Sequence, residues 1–126
     1  MKLLLRRDQK AGLLGKIIFT LSVRAELTSE ERQIIQKYKL GETMLYQRSE
    51  LVERGSGLLG MASRLAFNMM NLTISVNDLE SGKRVECKDI LEMLAVEEQV
   101  KEAAKMFRSV LGAASQFGGE EVVELT

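Results

Sequence analysis

The chain contains no histidine, no proline and no tryptophan, and its only cysteine is Cys87. Without histidine it lacks the commonest general base and the commonest metal ligand. A Ser-His-Asp or Cys-His arrangement cannot form within one chain. One cysteine permits neither an intrachain disulfide nor a cysteine-rich zinc site. That excludes a small secreted, disulfide-stapled domain and favours a reducing compartment, the cytoplasm. Charge of one sign is also missing: 18 Lys and Arg balance 18 Asp and Glu, so no global basic field draws in nucleic acid. Long apolar runs are absent. "MKLLLRR" opens like a secretory signal, but Leu3–Leu5 falls short of the ~7–15 apolar residues such a signal needs. No stretch reaches the ~20 that cross a bilayer.

What remains suits one domain over residues 1–126, with 45% hydrophobic and 29% charged residues. A domain of this size buries roughly two thirds of its unfolded surface. The segment 15–25 alternates, with Ile17, Phe19, Leu21 and Val23 opposite Ile18, Thr20, Ser22 and Arg24. This is the pattern of a strand with one buried face. Residues 2–9 precede it across the turn "KAGLLG". "LTSEERQIIQKYKLG" reads as a short helix, with Thr28 and Glu31 as a capping box and Gly41 as its stop. Residues 42–48 form a third strand and 71–78 a fourth. The latter turns through "LESGK" into "RVECK" as a hairpin, with Val85 and Cys87 on one face. Asp89 and Glu92 open a long helix to about Phe117, and "EEVVELT" closes the chain as a last strand. The expected fold is α+β: a mainly antiparallel sheet of about five or six strands, covered by the long C-terminal helix, a Met-rich central helix over 57–70 and the short helix.

Three glycines, Gly55, Gly57 and Gly60, carry the spacing G-x-G-x-x-G. Asp78 follows at about the distance of a ribose-binding carboxylate in a dinucleotide turn. The segment before them, "QRSELVER", is too polar for a buried parallel strand. Asp78 also leads into an apparent hairpin rather than a helical crossover. A small anion- or nucleotide-binding domain is therefore the alternative reading. The simpler one makes the glycines a turn into a buried helix.

The strongest periodicity lies in the long helix. Met93, Val96, Val100, Ala103, Phe107, Val110, Ala114 and Phe117 step by threes and fours, a heptad-like seam. Glu97, Glu98, Lys101, Glu102, Lys105 and Arg108 read as the solvated face. About 29 residues at ~1.5 Å each make a helix of roughly 43 Å, longer than the ~36 Å diameter of a compact domain of this length. Either the helix breaks near Gly112 or one end packs against something else. The surplus points to self-association, with a symmetric dimer as the default and Val100, Ala103, Phe107, Val110 and Ala114 forming or supporting the contact. Lys2, Arg6, Arg7, Lys10, Lys16 and Arg24 crowd the first strands, and Glu120, Glu121 and Glu124 the last residues. The acidic end is expected beside the basic hairpin, in this chain or a neighbour. The sequence thus predicts a non-enzymatic interaction module acting as a homo-oligomer, with no cofactor, no metal, no nucleic acid and no membrane partner.

Overall fold

In the computed structural model, residues 1–51 and 69–125 are described. The expected Met-rich helix and its glycines, Gly55, Gly57 and Gly60, lie outside them, except that Met69 and Met70 belong to a strand. The order of elements is β1 (Lys2–Ala11), β2 (Ile17–Glu26), α1 (Ser29–Lys37), β3 (Met44–Leu51), β4 (Met69–Ser75), α2 (Val76–Ser81), β5 (Lys83–Cys87) and α3 (Ile90–Ser115).

The α+β class and the antiparallel pairing are as expected, but the strands form no single sheet of five or six. Among the described residues they divide into a three-stranded sheet, β1-β2-β5, and a two-stranded sheet, β3-β4. The expected hairpin between the strands at 71–78 and 83–87 does not form. β4 pairs with β3, and β5 pairs with β2. The cause is local. Ser75 and Asp78 make a reciprocal capping box, so the chain coils at Val76 instead of extending, and α2 carries it from one sheet to the other. Side-chain capping competes with the ladder wherever Ser and Asp stand three apart. No strand forms over 119–125 either.

The β2 alternation does set the inner face. Leu21, Val23 and Ala25 are buried, with Leu21 opposite both Arg7 and Val85, and Phe19 opposite Cys87. Opposed residues share a face, so Leu3 and Leu5 join them from β1. Tyr46 and Ile74, opposed across β3 and β4, enter the same buried cluster, as do Met93, Val96 and Val100 of α3. Each such aliphatic side chain stabilises the fold by about 1.5–3 kcal/mol relative to exposure. A second cluster joins α1 to the C-terminal half of α3 through Leu27, Ile35, Val76, Phe107 and Leu111.

The Thr28–Glu31 capping box forms as the sequence indicates. The helix it starts ends before Gly41. Lys39 takes a left-handed conformation (φ 55°), its N–H donates to the Gln36 carbonyl, and the Leu40 N–H donates to that of Ile35. This is a Schellman motif with lysine where glycine is usual. Gly41 serves instead as a close approach, accepting from the Asn77 N–H at 2.9 Å. Asp89 caps α3 by accepting from the Glu92 N–H at 2.8 Å, while the Glu92 carboxylate accepts from Arg48. α3 runs 26 residues without a break at Gly112, about 39 Å at ~1.5 Å per residue.

Candidate interaction surface

The expected seam on α3 is divided by the fold. Val100 and Phe107 are buried in the chain's own core, Ala103 and Ala114 are half-buried, and Val110 is exposed. At about 100° per residue, the buried side chains Met93, Val96, Val100, Ala104, Phe107 and Leu111 fill one sector. Ala103, Met106, Val110 and Ala114 fill the sector beside it. In that second strip Met106 is 74% and Val110 45% exposed. Phe117, just past the helix end and 70% exposed, extends the strip. Its ring meets Tyr38 edge-on, with centroids 5.5 Å apart. Tyr38 in turn lies under the Lys37 ammonium at 5.4 Å, within cation–π range.

The charged face of α3 holds one exception. Glu97, expected in solvent, is only 3% exposed. Arg7 of β1 donates to it from Nε (2.8 Å) and Nη2 (2.6 Å), and the Lys101 ammonium lies 3.1 Å from the same carboxylate. The Arg7 guanidinium holds the Glu97 carboxyl below its ordinary range, against the opposing effect of burial. Arg48 of β3 makes the corresponding tie from the second sheet, donating to Glu92 (2.8 Å) and to the Glu86 carbonyl (3.1 Å). α3 is thus fastened to both sheets by arginine–glutamate pairs.

On the other flank of the buried face of α3, opposite the strip, a groove of about 190 Å³ opens between the helix and β1, lined by Met1, Leu3, Lys101, Ala104, Lys105 and Arg108. Its floor is apolar and its helical rim is cationic. Nothing in the sequence pointed to it, because it exists only where β1 meets α3.

Asp78 is used as a cap: its carboxylate accepts from the Ser75 N–H at 2.9 Å. The strands on either side of the glycine segment, β3 and β4, are antiparallel, whereas a dinucleotide turn joins parallel strands. Among the described residues no group of three His, Cys, Asp or Glu side chains is placed to hold a metal ion, and no helix is long and apolar enough to cross a membrane. Cys87 is buried. No family model, curated protein or solved structure matches this chain.

Proposed function

We propose that this protein is a non-catalytic assembly module that works as a homo-oligomer, most simply a dimer. The observation that supports it is the exposed apolar strip of α3, formed by Ala103, Met106, Val110 and Ala114 and continued by Phe117 onto Tyr38. These residues occupy a regular helix that is held from behind by its own core. Their exposure therefore belongs to a rigid surface, the kind on which a buried anchor contributes most to association. A C2 axis across the strip would set each Val110 near its counterpart. Of the residues expected at the contact, Ala103, Val110 and Ala114 belong to it directly, and Val100 and Phe107 support it from within.

A non-catalytic role also suits the charges. The one buried carboxylate among the described residues, Glu97, is saturated by Arg7 and Lys101 and fastens β1 to α3. It offers no proton at neutral pH. The buried thiol of Cys87 fits a reducing compartment such as the cytoplasm. The alternative, an anion or nucleotide held at Gly55, Gly57 and Gly60, loses Asp78 to capping and stands between antiparallel strands.

Sedimentation of the wild type beside Met106→Asp/Val110→Asp tests the reading. The wild type is expected as a dimer and the variant as a monomer with an unchanged far-UV spectrum, since both side chains already meet solvent. A wild-type monomer at tens of micromolar would end it.

A further inference from the structure

The groove beside β1 has a matching ligand in the chain itself. β1 is an edge strand, and among the described residues its outer edge has no strand partner along its ten residues. An open edge is a template for another strand. Addition of an extended peptide between a sheet edge and a helix is an established mode of recognition. The segment 120–125, "EEVVEL", has no secondary structure and is exposed throughout, Leu125 to 93%. It combines three glutamates with three large aliphatic side chains, and β1 offers Met1 and Leu3 on the groove side and the exposed Lys2, Leu4 and Arg6 on its outer side.

From these we infer that residues 120–125 of one copy add as an antiparallel strand to the β1 edge of a second copy, filling the groove between β1 and α3. This inference rests on the self-association reading and moves the contact from the α3 strip to β1, because the groove lies on the opposite flank of the helix.

Register supports the match. If Val122 stands opposite Leu4, then Glu124 falls opposite Lys2 and Glu120 opposite Arg6. All of these lie on the outer side of the sheet, where Lys2, Leu4 and Arg6 are exposed. On the inner side, Val123 falls opposite Leu3 and Leu125 opposite Met1, both lining residues of the groove. Glu121, opposite Leu5, lies diagonally from Arg7, two residues further along β1. Opposite charges and aliphatic pairs facing across antiparallel strands are each favourable.

The path of the chain argues for a second copy over the chain's own groove. Phe117 packs on Tyr38, so the chain leaves α3 on the flank facing α1. Lys101, Lys105 and Arg108 lie about 120–180° round the helix from Phe117, at about 100° per residue. Only Gly118 and Gly119 separate Phe117 from Glu120. Two residues, at ~3.3 Å each, do not round a helix ~10 Å across and reverse direction. Reciprocal exchange between two copies closes a symmetric dimer without that strain.

Charge exchange in full-length proteins tests the inference. Lys2→Glu/Arg6→Glu reverses the outer side of β1, and Glu120→Lys/Glu124→Lys reverses the tail residues that face it. All four side chains are exposed, so the fold is expected to survive, with far-UV spectra as the check. Two readouts are followed: sedimentation, and hydrogen exchange of the β1 amides. The wild type is expected to protect the β1 edge in step with dimer formation. Each reversed protein alone loses that protection, by about tenfold or more in exchange rate, and an equimolar mixture of the two regains it, because only the mixture pairs opposite charges.

A wild-type dimer whose β1 edge exchanges like an open strand would overturn the inference while leaving the α3 contact standing. Protection in the wild type that does not vary with protein concentration would also overturn it, assigning the tail to its own groove. Conversely, if Met106→Asp/Val110→Asp leaves the dimer intact while reversal of Lys2 and Arg6 dissolves it, the tail exchange stands and the α3 contact falls.

Discussion

Arg7 of β1 donates two hydrogen bonds to Glu97 of α3, at 2.8 and 2.6 Å, across 90 positions of sequence. The arginine side chain remains more than half exposed while the carboxylate is almost wholly buried. The pair is therefore a clamp applied from the rim. Water reaches the cation, and the anion takes its solvation from Arg7 and Lys101. Removing the cation leaves a buried charge with one remaining partner, the costly half of such an exchange.

Acid should loosen this clamp. Glu97 is held below its ordinary value chiefly by the Arg7 hydrogen bonds. Glu31 is also lowered: burial opposes the shift, but the N-terminal amine and Thr28 outweigh it. Groups depressed in the folded state contribute stability above their unfolded value of about 4.3. That contribution is lost as pH falls through the folded value. Urea midpoints are expected to decline from about pH 4.5 downward. Glu97→Gln should be less stable than wild type at pH 7 and show a shallower decline. Equal slopes for the two proteins would rule out Glu97 as a source.

Phe107 and Val110 lie three residues apart on α3, one in the core and the other on the strip. Phe107→Ala is expected to cost about 3–5 kcal/mol of unfolding free energy, through lost burial and the cavity left among Leu27, Ile35, Val76 and Leu111. Val110→Ala should cost below about 1 kcal/mol in the monomer while weakening association. Denaturant titration at low concentration separates the two effects.

Lys39→Gly should stabilise the protein. The residue sits at φ 55°, where a side chain costs roughly 1–2 kcal/mol that glycine does not incur. Part of that gain is offset by the greater freedom of glycine in the unfolded chain. The expected net effect is a rise of about 0.5–1 kcal/mol, read as a higher Tm with no change in sedimentation.

Ser75→Ala tests the turn that separates the two sheets. Its hydroxyl accepts from the Asp78 N–H, and loss of such a cap costs about 1 kcal/mol. The substitution also removes the local bias toward coiling at Val76. Hydrogen exchange over residues 76–81 should rise more than over β2. Uniform change across the chain would mean that α2 has no separate stability.

Period and capping were legible directly. The β2 alternation, the Thr28–Glu31 box and the Asp89 cap all depend on residues within about five positions of one another, where the local backbone geometry decides. The same is true of the α+β class. Whether α3 breaks at Gly112 was left open by its spacing. The pairing of strands was not local. Residues 71–78 carry a strand's alternation up to Val76, but Ser75 and Asp78 bond to each other, and β5 crosses to β2 because that strand offers Leu21 to Val85 and Phe19 to Cys87. The heptad seam of α3 was visible as apolar spacing, yet spacing alone does not say which apolar side chains meet the chain's own sheet. Only the packed helix divides Val100 and Phe107, inside, from Val110 and Met106, outside. Glu97 belongs to the charged run by spacing and to the core by position, because its partner Arg7 arrives from the first strand. The groove of Met1, Leu3, Lys105 and Arg108 likewise has no linear signature. Burial and charge pairing between distant segments are set by the fold as a whole, and there tertiary structure decided what local pattern left open.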